Sequence, residues 1–188
     1  MKFFLFFAGA VVLLLLGCGY SDTGDIQAVK SFDIKRYCGT WYEIARLPNW
    51  FEMNLSEVSA HYSLRPDGMV NVVNRGCCKG KWRAVNGIAR FADSPECGEL
   101  EVSFQWPFWG KYRIICLDDN YSVAAVCGKS FDYLWILART PEIPPEKLDF
   151  ILESLKIQGF CTEKLEFPQQ KSGSTISDTA AAKHDSAN

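Results

Sequence analysis

The stretch Gly39-Thr40-Trp41-Tyr42-Glu43-Ile44-Ala45-Arg46 decides the fold of this chain of 188 residues. We predict that it forms a first β-strand over residues 39–47, because alternating segments follow it at short intervals. In residues 58–64 and 100–106 the even-numbered positions are apolar and the odd-numbered positions are polar. Each of these strands therefore has one face toward a core and one face toward water.

Turn-forming residues separate the alternating segments. They occur at Arg65-Pro66-Asp67-Gly68, Lys79-Gly80, Asp93-Ser94-Pro95, Pro107 with Gly110, Asp118-Asp119-Asn120 and Gly128-Lys129. The sequence thus predicts eight strands, over residues 39–47, 57–65, 69–77, 82–91, 99–106, 111–117, 121–127 and 132–139. This spacing favours an up-and-down barrel or a sandwich. Because closure removes exposed strand edges, we predict an all-β, eight-stranded antiparallel up-and-down barrel.

A helix is predicted after the last strand. Pro144-Pro145-Glu146 opens it, with proline in the first turn, where the missing N–H costs little. Gly159 is the predicted stop. The apolar residues at helical spacing are Leu148, Ile151, Leu152 and Leu155. We expect this amphipathic helix to pack on the outside of the barrel.

The N-terminus carries targeting features. Lys2 precedes an apolar run over residues 3–16, which is shorter than the roughly 20 residues of a membrane span and is typical of a secretory signal. The run leads into Leu15-Leu16-Gly17-Cys18, which resembles the bacterial lipobox. This resemblance implies that residues 1–17 are a lipoprotein signal peptide and that Cys18 becomes a diacylated lipid anchor. A plain signal peptide with an incidental cysteine is the alternative.

The segments that flank the predicted domain, residues 32–168, are rich in small and polar residues. We expect residues 18–31 to be a flexible, lipid-anchored tether, which at about 3.3 Å per residue could reach roughly 40 Å. Residues 169–188 hold almost no large apolar group and are expected to be disordered, since they cannot offset their ordering entropy.

Three short motifs together resemble those of the lipocalin family. The first is Gly39-Thr40-Trp41 with the strand that follows it. The second is Leu117-Asp118-Asp119-Asn120-Tyr121, in which Leu117 stands in place of the threonine usual in the family, and the third is residues 133–141, with Arg139 on the last strand. The similarity runs from about Phe32 to Phe167. The motifs are most similar to those of the bacterial outer-membrane lipocalins and their apolipoprotein D-like relatives.

Four residues of these motifs are interpreted as structural. Gly39 lets the chain cross the closed end of the barrel tightly, and Trp41 plugs that end. Arg139 can lie over the indole as a cation–π pair worth about 0.5–2 kcal/mol. Asp118 is expected to hold the turn at residues 118–121 rather than to take part in chemistry.

A barrel of about eight strands can hold one small ligand at its open mouth. Strand phase points several apolar and aromatic side chains inward, and the aromatic loop at residues 107–110 is expected at the open end, as are Trp50 and Phe51. The predicted ligand-binding residues are Trp135, Trp109, Tyr62, Val102, Phe104 and Tyr112. The alternative is that the inward side chains simply fill a core.

The lipocalin resemblance implies fatty acids, lysophospholipids or related lipids as ligands, and lipid storage, transfer or scavenging at the outer membrane as the role. The candidates for holding a headgroup are Arg46, Lys79, Lys81 and Lys111. The anchor implies attachment to the outer membrane, expected at its periplasmic face. Whether the protein forms a homodimer is left open. Two alternatives remain: an interaction lipoprotein that uses the mouth aromatics on a protein partner, and an enzyme on an apolar substrate.

Composition and residue spacing argue against other function classes. The 20 basic and 22 acidic residues give a net charge of −2 without a basic stripe, so we expect no nucleic-acid partner. The only histidines are His61, on an outward strand position, and His184, in the tail, so we expect neither catalytic residues nor a cofactor. We also expect no metal site, because no C-x-x-C spacing occurs.

Seven cysteines follow Cys18 in the chain. The bacterial envelope permits disulfides, and because seven is odd, at least one cysteine stays free or pairs between molecules. The lipocalin resemblance implies a disulfide between Cys77 or Cys78 and Cys161. The residues alone leave the connectivity open.

Overall fold

A computed structural model describes residues 22–23 and 26–171. The predicted signal peptide, Cys18, His184 and tail residues 172–188 lie outside the described residues. Eight strands form a closed antiparallel barrel in which each strand pairs with the next and β8 pairs with β1. The strands are β1 (Gly39–Arg46), β2 (Leu55–Leu64), β3 (Val70–Cys78), β4 (Lys81–Phe91), β5 (Glu99–Gln105), β6 (Phe108–Leu117), β7 (Val123–Cys127) and β8 (Leu134–Ala138). The predicted barrel is confirmed.

The two ends of the barrel differ. The closed end holds the start of β1 and the connections 65–69, 92–98 and 118–122, whereas the open end holds the connections 47–54, 79–80, 106–107 and 128–133. A helix of one turn, α1 (Ile34–Tyr37), precedes β1 at the closed end. There Tyr37 and Trp41 are buried with their ring centroids 4.8 Å apart. The sequence did not predict α1, because four residues are too few to show a helical period.

Each side of the barrel wall has a buried apolar layer, since successive strand residues point to opposite faces. The inner layer includes Trp41, Tyr62 and Ile114. The outer layer lies on β1, β6, β7 and β8 and packs against α2 (Pro145–Ile157) through Ile151 and Leu155. The predicted helix outside the barrel is therefore confirmed. Among the described helices, none has the length and apolar character needed to cross a membrane.

The described part of the N-terminal segment packs on the barrel. Thr23 is fully buried, and its backbone N–H and hydroxyl donate to the carbonyl oxygens of Lys129 at 3.1 Å and Gly128 at 2.8 Å. Further on, the N–H of Val29 donates to the carbonyl oxygen of Ile114 at 2.9 Å. The expected flexible tether is corrected for residues 22–23 and 26–31, because pairing with remote strands holds them and composition does not reveal such pairing.

The C-terminal segment completes the wall at the open end between β1 and β2. Arg46 exchanges two backbone hydrogen bonds with Glu166, and the side-chain amide of Gln170 donates to the carbonyl oxygens of Glu43 and Val58. Residues 169–171 of the predicted disordered tail are thus held against the barrel. The backbone donors and acceptors of β1 and β2 find partners there, which the polar composition of the segment did not predict.

All seven described cysteines are free thiols. The pairing of Cys77 or Cys78 with Cys161, which the resemblance implied, is therefore not formed in this structure. Cys161 follows α2, which covers β7 and β8, whereas the other two lie on β3, three strands further round the barrel from β8.

Candidate ligand-binding site

Four of the predicted ligand-binding residues lie together on the inner wall. Tyr62 on β2 is buried, and Val102 on β5, Tyr112 on β6 and Trp135 on β8 are partly buried against the same inner layer. Strand pairing brings Tyr112 close to Val102, because Tyr112 lies opposite Leu100, which precedes Val102 by two residues on the same face of β5. The inner wall at mid-height is therefore largely aromatic.

Nearer the mouth, apolar side chains on the inner face remain accessible. Phe104 is 44% exposed and Val85 is 51% exposed. The ring of Phe104 lies against Gly87, where an added Cβ would come within 2.7 Å of it. Val85 and Gly87 share the inner face of β4 with Ala89, which belongs to the inner layer. Near the mouth, the inner face of β4 and β5 thus presents accessible apolar surface at Val85 and Phe104.

Trp109 lies apart from the other predicted residues. β6 begins at Phe108, so Trp109 is part of the strand rather than of a loop, and Tyr112 is inward while Trp109 is in the opposite phase. The guanidinium carbon of Arg90 lies 4.1 Å from the centroid of the Trp109 ring, and Arg90 also pairs with Glu101. Trp109 therefore lies on the outer face of the barrel.

Three tyrosine hydroxyls meet inside the barrel above the closed end. The hydroxyl of Tyr112 lies 2.7 Å from that of Tyr37 and 2.9 Å from that of Tyr62. Burial raises the pKa of Tyr62 to about 12 and raises the pKa values of Tyr37 and Tyr112 well above their usual range. The three phenols stay protonated near neutral pH. Their hydroxyl groups form a hydrogen-bonded layer beneath the accessible apolar surface.

Two carboxyl groups and a guanidinium lie just below the mouth. Arg46 Nη1 donates to Glu43 Oε1 at 2.7 Å, and both side chains are only 4% exposed. Glu52, in the 47–54 connection, is also buried, and its Oε2 accepts from Trp135 Nε1 at 2.9 Å and from the side-chain amide of Asn49. Glu52 therefore holds the 47–54 connection against the inner wall.

Glu43 is the group in this cluster whose protonation differs most from that of an ordinary carboxyl. Burial, and next the neighbouring Glu52 carboxylate, raise the pKa of Glu43 to about 8 against the opposing attraction of Arg46. Near neutral pH the cluster therefore holds a largely protonated Glu43 beside a charged guanidinium.

The predicted headgroup cations occupy different surroundings. Arg46 is already engaged, because Nη2 donates to the carbonyl oxygen of Glu52 at 3.0 Å, and its buried Nε has no partner among the described residues. Lys79 and Lys81 are exposed at the open end, whereas Lys111 is exposed on the outer face, opposite Glu101. Of these four candidates, the two that are accessible at the mouth, Lys79 and Lys81, thus lie on the β3–β4 hairpin.

Sequence reasoning missed Glu43, Glu52 and Arg83 as residues of the inner wall or mouth. Glu43 follows Trp41 by two positions and so shares its inward face, a signal that period-two counting could have found. Arg83 likewise precedes the inward Val85 by two positions and lies exposed near the mouth. Glu52 lies in a connection, where periodicity gives no signal.

The mouth also holds a cleft of about 560 Å³ between the 47–54 connection and the C-terminal segment. Its lining residues are Arg46, Pro48, Asn49, Trp50, Met53, Asn54 and Glu166. Both polar and apolar side chains line this cleft, and none of the predicted ligand-binding residues is among them.

Three residues of the motifs named above lie at the closed end, away from this site. Gly39 has φ 101°, a left-handed conformation that favours glycine. Asp118 accepts from the backbone N–H groups of Ser122 at 2.6 Å and Val123 at 2.8 Å, and Arg139 lies over Trp41. His61 lies outside, with Nδ1 3.0 Å from the Thr40 hydroxyl.

Within the described ranges, no three potential metal ligands cluster closely enough to hold a metal ion. The site combines an accessible apolar surface, a layer of tyrosine hydroxyls and charged groups near the mouth. These groups suit the binding of an organic ligand with an apolar part.

Comparison with known proteins agrees with this geometry. Residues 32–170 match the lipocalin-like domain family. The chain is 43% identical to outer membrane lipoprotein Blc of Escherichia coli over 166 residues, covering 87% of this chain and 94% of the relative. It is 33% identical to mouse apolipoprotein D, covering 72% of this chain and 76% of that protein. The fold resembles insecticyanin from the tobacco hornworm, with a TM-score of 0.68 at 19% identity, over 78% of this chain and 85% of that one. The chain belongs to the lipocalin family.

Proposed function

We propose that this protein binds a single lipid in the upper half of its barrel and acts as a lipid-binding lipoprotein of the bacterial outer membrane. The observation that carries the proposal is the accessible apolar surface on the inner wall, at Phe104 and Val85. It lies above the partly buried aromatic side chains of Tyr112 and Trp135. An acyl chain placed there would gain about 0.8 kcal/mol for each methylene that leaves water.

The proposed lining consists of five of the predicted residues: Trp135, Tyr62, Val102, Phe104 and Tyr112. Trp109 is left out, because it packs against Arg90 on the outer face. The ligand class is a fatty acid or lysophospholipid, whose tail fits the apolar wall. Its headgroup would lie at the mouth, where Lys79, Lys81 and Arg83 are exposed.

The membrane location rests on the lipobox-like sequence that ends at Cys18 and on the relatives. The Escherichia coli and Vibrio cholerae relatives are named outer membrane lipoprotein Blc. We propose the same location here, with acyl chains on Cys18 and the barrel at the periplasmic face. We propose no chemical step, because the family generally binds its ligands and the inner carboxyl groups are engaged with Arg46 and Trp135.

The test is native mass spectrometry with lipid extraction on the chain from Gly19, titrated with palmitate and with a lysophospholipid. Every described residue is retained in that chain. We expect a near 1:1 adduct that Trp135→Ala weakens by about tenfold, the effect of losing roughly 1.4 kcal/mol of aromatic contact.

Trp109→Ala is the matched control, since it removes a tryptophan from the outer face of the same barrel. It should bind lipid as the unaltered chain does. Absence of an adduct with either lipid, or equal weakening by both substitutions, would contradict the proposal.

A further inference from the structure

The loops at the open end carry large apolar side chains that point into solvent. Trp50 and Phe51 in the 47–54 connection are 79% and 48% exposed, and Trp106 and Phe108 around the β5–β6 turn are 80% and 71% exposed. Trp82, beside the β3–β4 turn, is 57% exposed. These five residues, here called the aromatic rim, lie in or directly beside three separate connections around one mouth.

Clustered exposed aromatics mark an interaction surface, and tryptophan in particular prefers the interface between a membrane and water. The inner apolar layer includes none of the five rim residues, so packing of the barrel core does not account for the aromatic rim.

The described N-terminal segment starts at the same end of the barrel as the aromatic rim. Asp22 forms an antiparallel bridge with Ser130, and Thr23 bonds to Gly128 and Lys129, all in the 128–133 connection of the open end. The described chain therefore starts at the mouth and runs from there toward the closed end.

The distance to the proposed anchor is short. Cys18 precedes Asp22 by four residues, so it lies within roughly 14 Å of Asp22 even when the chain between them is fully extended. A nine-residue strand such as β3 spans about 30 Å. The acyl chains proposed on Cys18 would therefore hold the open end near the bilayer, whereas the closed end is out of reach of so short a link.

Charge at the mouth is complementary to an anionic lipid surface. Lys79, Lys81 and Arg83 on the β3–β4 hairpin are exposed, as is Lys129 beside the entry of the chain. None of the four forms an ion pair with another described residue. Each such cation near an anionic membrane contributes about 1 kcal/mol of attraction.

We propose that the aromatic rim is a membrane-docking surface that seats the open mouth on the same bilayer that holds the Cys18 anchor. The ligand then enters and leaves the barrel through the lipid interface without crossing water. This inference rests on the proposed function for the anchor and the ligand, and its test separates the two.

The test measures how the chain from Gly19, which carries no acyl chains, partitions onto vesicles of phosphatidylethanolamine and phosphatidylglycerol. Phe108→Ser and Phe150→Ser form a matched pair, since each removes a phenylalanine of similar exposure, 71% at the rim and 73% on α2. We expect Phe108→Ser to lower the partition coefficient by about tenfold. The double change Trp50→Ser with Trp106→Ser should lower it further. Phe150→Ser should leave it unchanged.

A second arm tests the charge. Lys79→Gln with Lys81→Gln should weaken binding to anionic vesicles by about fivefold for each cation, and should have little effect on pure phosphatidylcholine vesicles. No change on anionic vesicles would overturn the assignment of an anionic surface.

Three results would overturn the docking proposal: no vesicle binding by the unaltered chain, equal partition of Phe108→Ser and Phe150→Ser, or a solution dimer that the rim substitutions abolish while vesicle binding persists. Palmitate uptake in vesicle-free solution is measured on the same proteins and should survive the Trp50→Ser, Trp106→Ser change. If the unaltered chain takes up no palmitate but still binds vesicles, the proposed function is wrong and the docking proposal still holds.

Discussion

The guanidinium of Arg139 lies over the indole of Trp41, with its carbon 4.0 Å from the ring centroid. The same group donates to the carbonyl oxygens of Thr40 at 2.9 Å, Tyr37 at 3.0 Å and Tyr121 at 3.1 Å. One side chain on the segment that follows β8 thereby joins α1, β1 and the 118–122 turn. The closed end of the barrel depends on this fork, because its carbonyl acceptors come from separate segments.

Arg139→Lys should destabilise the barrel although it keeps the positive charge. A lysine ammonium lacks the planar fork that reaches several carbonyl oxygens while stacking on an indole. We expect a loss of about 2–3 kcal/mol in the free energy of unfolding, or about 5–10 °C in Tm, measured by thermal and urea unfolding.

Arg65→Lys is the control for that change, because Arg65 makes an exposed ion pair with Asp67 in the 65–69 turn. Its effect should stay within about 0.5 kcal/mol. Equal stabilities for the two variants would show that the Arg139 fork contributes nothing special.

Glu43→Gln should change how stability depends on pH. The carboxyl titrates at about 8 in the folded protein and at 4.5 as an ordinary glutamate, so the folded state holds a proton that the unfolded state releases between these values. Its contribution to stability is therefore present at low pH and is lost as pH rises from about 4.5 through about 8.

Glutamine keeps an acceptor for Arg46 and removes this titration. Tm measured from pH 5 to pH 9 should fall more steeply for the unaltered chain than for Glu43→Gln. Parallel curves for the two proteins would contradict the raised pKa of Glu43.

Trp135→Phe should loosen the 47–54 connection. The substitution removes the indole N–H that donates to Glu52 Oε2 at 2.9 Å and leaves a buried carboxylate with one partner fewer. We expect amide hydrogen exchange of residues 49–54 to rise about fivefold to tenfold, the effect of roughly 1–1.4 kcal/mol.

Trp109→Phe controls for the general effect of losing an indole, since Trp109 lies on the outer face against Arg90. Exchange of residues 49–54 should not change in that variant. An unchanged rate in Trp135→Phe would mean that the connection is held by its other contacts.

Gly87→Ala should destabilise the open half of the barrel. An added Cβ would lie 2.7 Å from the ring of Phe104 and 2.8 Å from the carbonyl oxygen of Ser103, and the backbone contact cannot be relieved by a rotamer change. We expect a loss of about 1–3 kcal/mol in urea unfolding.

Gly110→Ala is the comparison, because its added Cβ would meet only the carbonyl oxygen of Val102 at an ordinary 3.8 Å. It should cost clearly less than Gly87→Ala. Equal losses would point to glycine's backbone freedom rather than to contact with Phe104.

Some features of the site were within reach of the sequence, and others were not. Alternation placed Tyr62 and Val102 on a shared inward face, because a period of two is a local property of each strand. Trp109 was misplaced in a loop because Pro107 and Gly110 read as turn signals. In the structure β6 continues through Gly110, which pairs with Val102 on β5.

The N-terminal segment illustrates a second limit. Its small and polar residues predicted a tether, yet Thr23 is buried against Gly128, 105 residues further along the chain. Composition records whether a segment can bury apolar surface by itself. It does not record whether a remote strand offers backbone partners.

The sequence by itself determined the eight-stranded barrel, the outer helix and the family, because hydrophobic period, turn residues and short motifs are written along the chain. Only the tertiary structure decided that Glu43 and Glu52 meet Arg46 and Trp135 inside the mouth, and that the chain enters beside the aromatic rim. The physical reason is that burial, a shifted pKa and a shared surface depend on distances between segments that are remote in sequence.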